Sequence, residues 1–417
     1  MGIKEFVRDN KDNIIRDIGR VVAKEDAVEA LHEMLAVAED LGLSTYSCED
    51  IVGYAYIGDN GDDYIATITH VDIVPSGDGW NTDPFTLTQK DGYILGRGVM
   101  DDKGPGVLTL YALKYLKDNV KIKTPVRALF GTDEEEGMSD VDYYLENYAP
   151  PKFLFTPDSE FPLINGEKGM FGAMVYSNIQ LDKIESIEGG FAPNAIPCTA
   201  AATVGGIKFE AMGIQTHAST PWDGKNAIGV LLKDILKSGL VSGDERELLI
   251  KLLAIDETWD GAALDIKASD DKFGDLTCAG GVIGIEDGRL FRTIDIRYPT
   301  TITGSELCDK LKSYFEPMFS FEKVCDKVPF YMDTDKKEVK ACMDAYNLVT
   351  GLDAKPFCVG GGTYARKFPC AVAFGAETDT VKPSFVGGIH ASNEGASIDE
   401  FMTALEIYIN ALINLEE

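Results

Sequence analysis

No stretch of this 417-residue chain stays apolar for the ~18 residues that a membrane-spanning helix needs, so no such span is expected. The opening M-G-I-K-E-F-V-R-D-N is charged and lacks an apolar stretch of signal-peptide length. Positive charge is scarce: 39 Lys and Arg against 69 Asp and Glu leave a net charge of −30. A surface of that sign repels phosphate backbones and anionic lipid, which argues against nucleic-acid and membrane partners. The eight cysteines, at 48, 198, 278, 308, 325, 342, 358 and 370, form no C-x-x-C and no finger spacing. A closed thiolate zinc site is therefore not the pattern, and the cysteines read as reduced thiols of a cytoplasmic protein. Histidine is rare as well, with four in the chain.

What is present is ordinary globular composition, 45% hydrophobic and 26% charged, which excludes global disorder. The length suits two domains. Helical periodicity runs through residues 12–40 with a break. Tyr64–Val74, Val126–Phe130 and Phe153–Phe155 read as strands, and Gly104–Leu116 as a helix. This alternation predicts an α/β domain: a mostly parallel sheet with flanking helices. Past Gly169 strands dominate, at Phe171–Tyr176, Ala200–Val204, Ile207–Met212, Val282–Ile285 and Leu290–Ile296. Helices are expected about Ala227–Leu236 and Ser305–Tyr314. From about Lys336 the α/β texture returns, and Ser397-Ile-Asp-Glu400 is a capping box opening a helix through Leu412. The expected organisation is one domain of 1–166 and 330–417, interrupted by an inserted α+β domain of 167–329.

Of the four histidines, His32 sits in a helical stretch and reads as a surface or half-buried residue. His70, in T-H-V-D-I-V, shares a strand face with Asp72 near the end of a parallel strand, where open α/β sheets place ligand sites. Acidic loops follow at L-G-R-G-V-M-D-D-K-G-P-G (95–106), G-T-D-E-E-E-G (131–137) and F-T-P-D-S-E-F-P (155–162). His390 lies in I-H-A-S-N-E-G (389–395). Each alone is explained as well by a solvated turn. Together they give imidazole and carboxylate donors at strand ends of one domain, which suits a catalytic Zn, Mn or Co site rather than a structural one. Carboxylates this close need a cationic partner, and two ions bridged by one carboxylate would serve. Spacing does not separate Asp101 from Asp102, or Glu134, Glu135 and Glu136 from one another.

These stretches, with D-I-R-Y-P (295–299) and G-G-G-T-Y-A-R (360–366), resemble in content and order the co-catalytic di-metal peptidase family of aminoacylase, glutamate carboxypeptidase and succinyl-diaminopimelate desuccinylase. The runs P-D-S-E-F-P-L-I-N-G-E-K-G (157–169) and D-I-R-Y-P bring the resemblance nearest to PepV-type bacterial dipeptidases. The resemblance implies a phosphorylase/hydrolase-like catalytic domain with an inserted lid. It also implies two divalent ions, zinc ahead of manganese or cobalt. Asp101 would bridge them, one ion taking His70 and Asp158 and the other Glu135 and His390. Glu134 would be general base and then acid, Asp72 would orient His70, and His217 would stabilise the oxyanion. Arg297 would hold the substrate carboxylate, with Asn194 and the glycines Gly361 and Gly362 also at the substrate. A cis peptide between Asp101 and Asp102 is expected. The implied activity is hydrolysis, by a metal-activated hydroxide, of dipeptides with a free C-terminal carboxylate. Deacylation or desuccinylation of N-acyl amino acids is the alternative. A monomer is favoured over a homodimer.

Overall fold

The computed structural model describes residues 1–416. It contains two compact units. The first comprises Met1–Asn165, Met332–Phe357 and Gly362–Glu417, and the second Gly166–Tyr331 and Cys358–Gly361. Residues 358–361, expected with the first unit, lie in the second.

In the first unit the strands run in the order Ser44–Cys48, Val52–Ile57, Val126–Gly131, Ile65–His70, Leu154–Thr156, Ala371–Ala373, Ile164–Glu167, the last crossing into the second unit at Gly166. The four central strands, from Val126–Gly131 to Ala371–Ala373, are parallel to one another. The strands outside them pair antiparallel. The expectation of a mostly parallel sheet therefore holds only for the centre. Ser44–Cys48 and Val52–Ile57 are joined by a tight turn, and a short connection can only join antiparallel neighbours. The central strands are buried along their length, as strands covered on both faces must be. Helix Lys103–Asn119 packs on them and against Ile3–Val22 and Ile398–Leu415. Ser397 caps the last of these, its side chain accepting from the Glu400 N–H.

The main sheet of the second unit is antiparallel in its pairings and runs Ile207–Met212, Thr199–Val204, Ile184–Gly189, Ile283–Glu286, Arg289–Tyr298, Gly169–Ser177, Phe319–Lys327. Helices Ala227–Ser238, Gly243–Glu257 and Gly304–Phe315 supply its core with Leu231, Leu232, Leu248, Leu252, Leu307 and Leu311. The mixed α/β class stands, with parallel pairing in the four central strands and in the short pair Ser159–Glu160 and Ala376–Glu377.

Candidate metal centre

The parallel strands deliver their C-terminal ends to one place. Ile65–His70 ends on His70 itself, and the chain leaves the sheet at Val71, whose N–H donates to the Gly131 carbonyl at 2.9 Å. Asp72 is thus beyond the strand, not on its face as expected. His70 Nδ1 lies 3.0 Å from the Asp72 main-chain carbonyl and 3.3 Å from its carboxylate. Strand Val126–Gly131 leads into the acidic loop 132–136. A Cβ at Gly131 would fall on the Tyr364 hydroxyl and the Asp140 carboxylate, so only glycine admits this turn. Asp140, which Tyr364 contacts through its hydroxyl, accepts from the N–H groups of Thr132 and Asp133. Asp72 does the same one step on, accepting from the Glu134 N–H at 3.2 Å and the Glu135 N–H at 3.0 Å.

Asp101 stands at the centre. One carboxylate oxygen is 2.9 Å from His70 Nε2 and the other 2.9 Å from His390 Nε2. His390, in the left-handed region at φ 59°, also lies 3.1 Å from Glu135. Asp158, two residues past strand Leu154–Thr156, is 3.8 Å from His70 Nε2. The peptide between Asp101 and Asp102 is cis. Asp102 turns inward: it is fully buried, both carboxylate oxygens without a hydrogen-bond partner among the described residues. Among the described residues, two sets of donor atoms are close enough for a cation, His70–Asp101–Glu135 and His70–Asp102–Asp158. The second contains Asp102, which spacing left open beside Asp101 and to which the resemblance gave no ligand role.

Charge decides what this cluster can hold. Burial alone would lower the His70 pKa, but Asp101, Asp158 and Asp72 outweigh it and hold the ring well above its usual value. Asp101 and Glu135 raise His390 to about 10 against the effect of burial. For Asp101 burial is overcome by the two imidazoles, leaving its carboxyl well below the usual range. Asp158 is pushed up to about 6, by burial first and then by Asp101 and Glu135, with His70 opposing. Glu134 is driven well above a normal carboxyl by burial and by Asp158. So five carboxylates, Asp101, Asp102, Glu134, Glu135 and Asp158, crowd two imidazoles, and burial together with the crowding raises the carboxyls of Asp102, Glu134 and Asp158. Oxygen and imidazole donors with surplus charge and two orphaned carboxylate oxygens fit divalent cations.

Other expected residues lie in the second unit. The strand Thr216–His217 pairs with Ala195–Ile196, and the Ala218 N–H donates to the Asn194 carbonyl at 2.8 Å, so His217 and Asn194 are neighbours. His217 Nδ1 is 2.6 Å from the Ser219 hydroxyl. Arg297 is buried on strand Arg289–Tyr298. Its Nε and Nη2 hold Asp295 at 2.8 and 3.0 Å, and its Nη1 donates to the Gly360 carbonyl at 3.2 Å. The salt bridge that any strand arginine makes is thus present. Gly361 falls in the second unit, as Gly360 does, and Gly362 in the first. His32, half exposed, pairs with Asp50.

The model of peptidase family M20/M25/M40 matches residues 66–414. YtjP of Bacillus subtilis (strain 168) is 31% identical over 93% of this chain and 90% of its own. The Beta-Ala-Xaa dipeptidase of Lactobacillus delbrueckii subsp. lactis is 28% identical over 100% and 98%. Among solved structures, human carnosine dipeptidase 1 shares the fold with a TM-score of 0.65, at 14% identity, over 99% of this chain and 98% of that one.

Proposed function

This chain belongs to peptidase family M20/M25/M40, and from that premise we propose that it is a metal-dependent dipeptidase acting on dipeptides with a free C-terminal carboxylate. The observation that carries the reading is the Asp101 carboxylate shared by two imidazoles, with the Glu134–Glu135 loop pinned beside it by Asp72. The Beta-Ala-Xaa dipeptidase, similar to this chain along its whole length, supports the substrate class. The eight scattered cysteines, with no C-x-x-C among them, support a cytoplasmic setting.

Asp101 would hold two divalent ions, zinc first and manganese or cobalt next. His70 and Asp158 would complete one site, Glu135 and His390 the other. Such ions, when bound, polarise a carbonyl oxygen and lower the pKa of water. Glu134, whose carboxyl burial holds well above its usual range, would be favoured as a carboxylate beside bound cations. Glu134 then accepts the proton of the attacking water and returns it to the leaving amine nitrogen, the double duty of a general base and acid. Asp72 fixes the His70 ring and, through two amide N–H groups, the place of Glu134. His217 is assigned to the developing oxyanion and Arg297 to the substrate carboxylate, with Asn194 and the Gly361–Gly362 turn at the substrate.

The test is a panel of β-alanyl and α-dipeptides against N-acetyl and N-succinyl amino acids, after chelation and after restoring Zn, Mn or Co. Chelation should abolish turnover, and dipeptides should lead the restored panel. Preference for the N-acyl compounds would replace this reading by the deacylase one. Full turnover without metal would remove both.

A further inference from the structure

Glu394 lies four residues after His390 and 1% exposed, and it has no role in the reading above. One of its carboxylate oxygens accepts from Arg97 Nη1 at 2.7 Å and from the Gly98 N–H at 3.2 Å. The other accepts from the N–H groups of Met100 at 2.9 Å and Asp101 at 3.2 Å. An ionised carboxylate has about four lone-pair sites, and here all are filled. Its own carbonyl takes the Gly96 N–H at 3.0 Å. One side chain thus grips the backbone of the segment that presents Asp101. The same residue anchors a turn closed by the Gly387 N–H on the Asn393 carbonyl at 2.7 Å, with His390 and Asn393 both in the left-handed region. Asn393 ties that turn to Asn81 and Gly79. Arg97, equally buried, also faces the carbonyls of Pro75 and Ser76, in the segment that follows His70 and Asp72.

We propose that Glu394 is a positioning residue that sets the separation of Asp101 and His390, and so the affinity of the site those two would share. The inference rests on the di-metal reading. A purely structural ion pair with Arg97 would act on stability alone. A positioning residue acts on one metal site more than the other, because the turn it anchors carries His390 but neither His70 nor Asp158.

Glu394→Gln keeps the size of the side chain. Its amide oxygen can still serve Met100 and Asp101, but its NH₂ then meets the donors of Arg97 and Gly98, and the flipped rotamer meets those of Met100 and Asp101. Metal-free wild type, Glu394→Gln and His390→Ala are titrated with Co²⁺ against a competing chelator, following the metal's absorption bands, and thermal midpoints are recorded in chelator. Wild type should take two equivalents in two steps. Glu394→Gln should weaken the step that His390→Ala abolishes by ~10–100-fold, the effect typical of groups that orient metal ligands, with a clearly smaller change in the other. In the His390→Ala background it should cost no more on the remaining step than that smaller change. Equal losses in both steps, or none beyond a lowered midpoint, would overturn the proposal. If Glu394→Gln does not fold, Glu394→Asp keeps the charge but draws it back from Met100 and Asp101, and the same outcomes decide. Failure of the wild type itself to bind two equivalents would overturn the di-metal reading, and this inference with it.

Discussion

Loading the metal-free protein with cations should release protons, and the hydrogen bonds say how many. His70 Nε2 faces an Asp101 oxygen at 2.9 Å and Nδ1 faces the Asp72 carbonyl at 3.0 Å. Both partners only accept, so both ring nitrogens must carry hydrogen, which only an imidazolium does. His390 Nε2 lies between two carboxylates, and its pKa of about 10 keeps that ring charged as well at neutral pH. A metal ligand must give up the proton at the bound nitrogen, so full loading at pH 7.5 displaces about two protons, one per imidazole. The overall binding constant should then rise about 100-fold per pH unit, or about 2.7 kcal/mol, while both rings stay protonated in the free protein. The sign is fixed: protons compete with metal, so affinity falls as pH falls, and more steeply below about 6 where Asp158 takes up a proton too. Glu134, whose carboxyl burial raises in the free protein, would add to the count by whatever proton cations displace from it. The assay is calorimetric titration of metal-free protein in buffers of different ionisation enthalpy, whose slope is the proton count. Glu134→Gln should lower the count by whatever Glu134 supplies. Release of fewer than about one proton by the wild type would refute the argument, since neither imidazole could then be cationic in the free site.

Three further outcomes follow from the same geometry. Glu134→Gln should lower kcat by ~10²–10⁴, with metal content by elemental analysis near that of wild type; loss of metal instead would exchange the roles of Glu134 and Glu135. Arg297→Ala should raise KM for free dipeptides more than for their C-terminal amides. Because it strands the Asp295 carboxylate it should also cost ~3–5 kcal/mol of stability, measured by denaturant unfolding. Equal kinetic losses on both substrates would confine Arg297 to its ion pair. In chelator, the His390 contribution is present below its unfolded pKa of ~6.5 and is lost as pH rises through the folded value. Stability of the metal-free protein should therefore decline from neutral pH toward about 10, and His390→Ala should flatten that decline in a series of urea titrations.

The donors of the centre are visible in the sequence because each follows a strand and sits in a short, chemically loaded segment. Which of two neighbours faces the cluster is not visible. Asp101 and Asp102 are adjacent carboxylates with the same local context, and only the backbone path sends one between two imidazoles and the other, fully buried, into a group with His70 and Asp158. Glu394 was illegible for a different reason: its partners lie 293 to 297 residues earlier in the chain. The helix Gly243–Glu257 is absent from the sequence-based outline although Leu248, Leu249, Leu252 and Leu253 recur at helical spacing, so that signal was there to be read. Antiparallel outer strands in the first unit escape an argument from strand–helix alternation, since that alternation describes only strands joined through helices.

A common device recurs around the cluster. Asp140 accepts the amides of Thr132 and Asp133, Asp72 those of Glu134 and Glu135, and Glu394 those of Gly98, Met100 and Asp101. The segments that present Asp101, Glu134 and Glu135 are thus held by further carboxylates, whereas the Asp158 N–H donates to the Thr156 hydroxyl at 3.4 Å. A hydroxyl or amide side chain would satisfy fewer of those N–H groups, and charge-assisted bonds are about twice as strong as neutral ones. The choice adds still more negative charge around a cluster whose carboxylates already outnumber its imidazoles. Bringing that charge together without cations favours protons on both histidines and on the buried carboxyls, which is the direction in which the pKa values of His70, His390, Glu134 and Asp158 move. Metal binding and proton loss are therefore two sides of one equilibrium here, and the scaffold carboxylates make that equilibrium steeper than the ligands alone would.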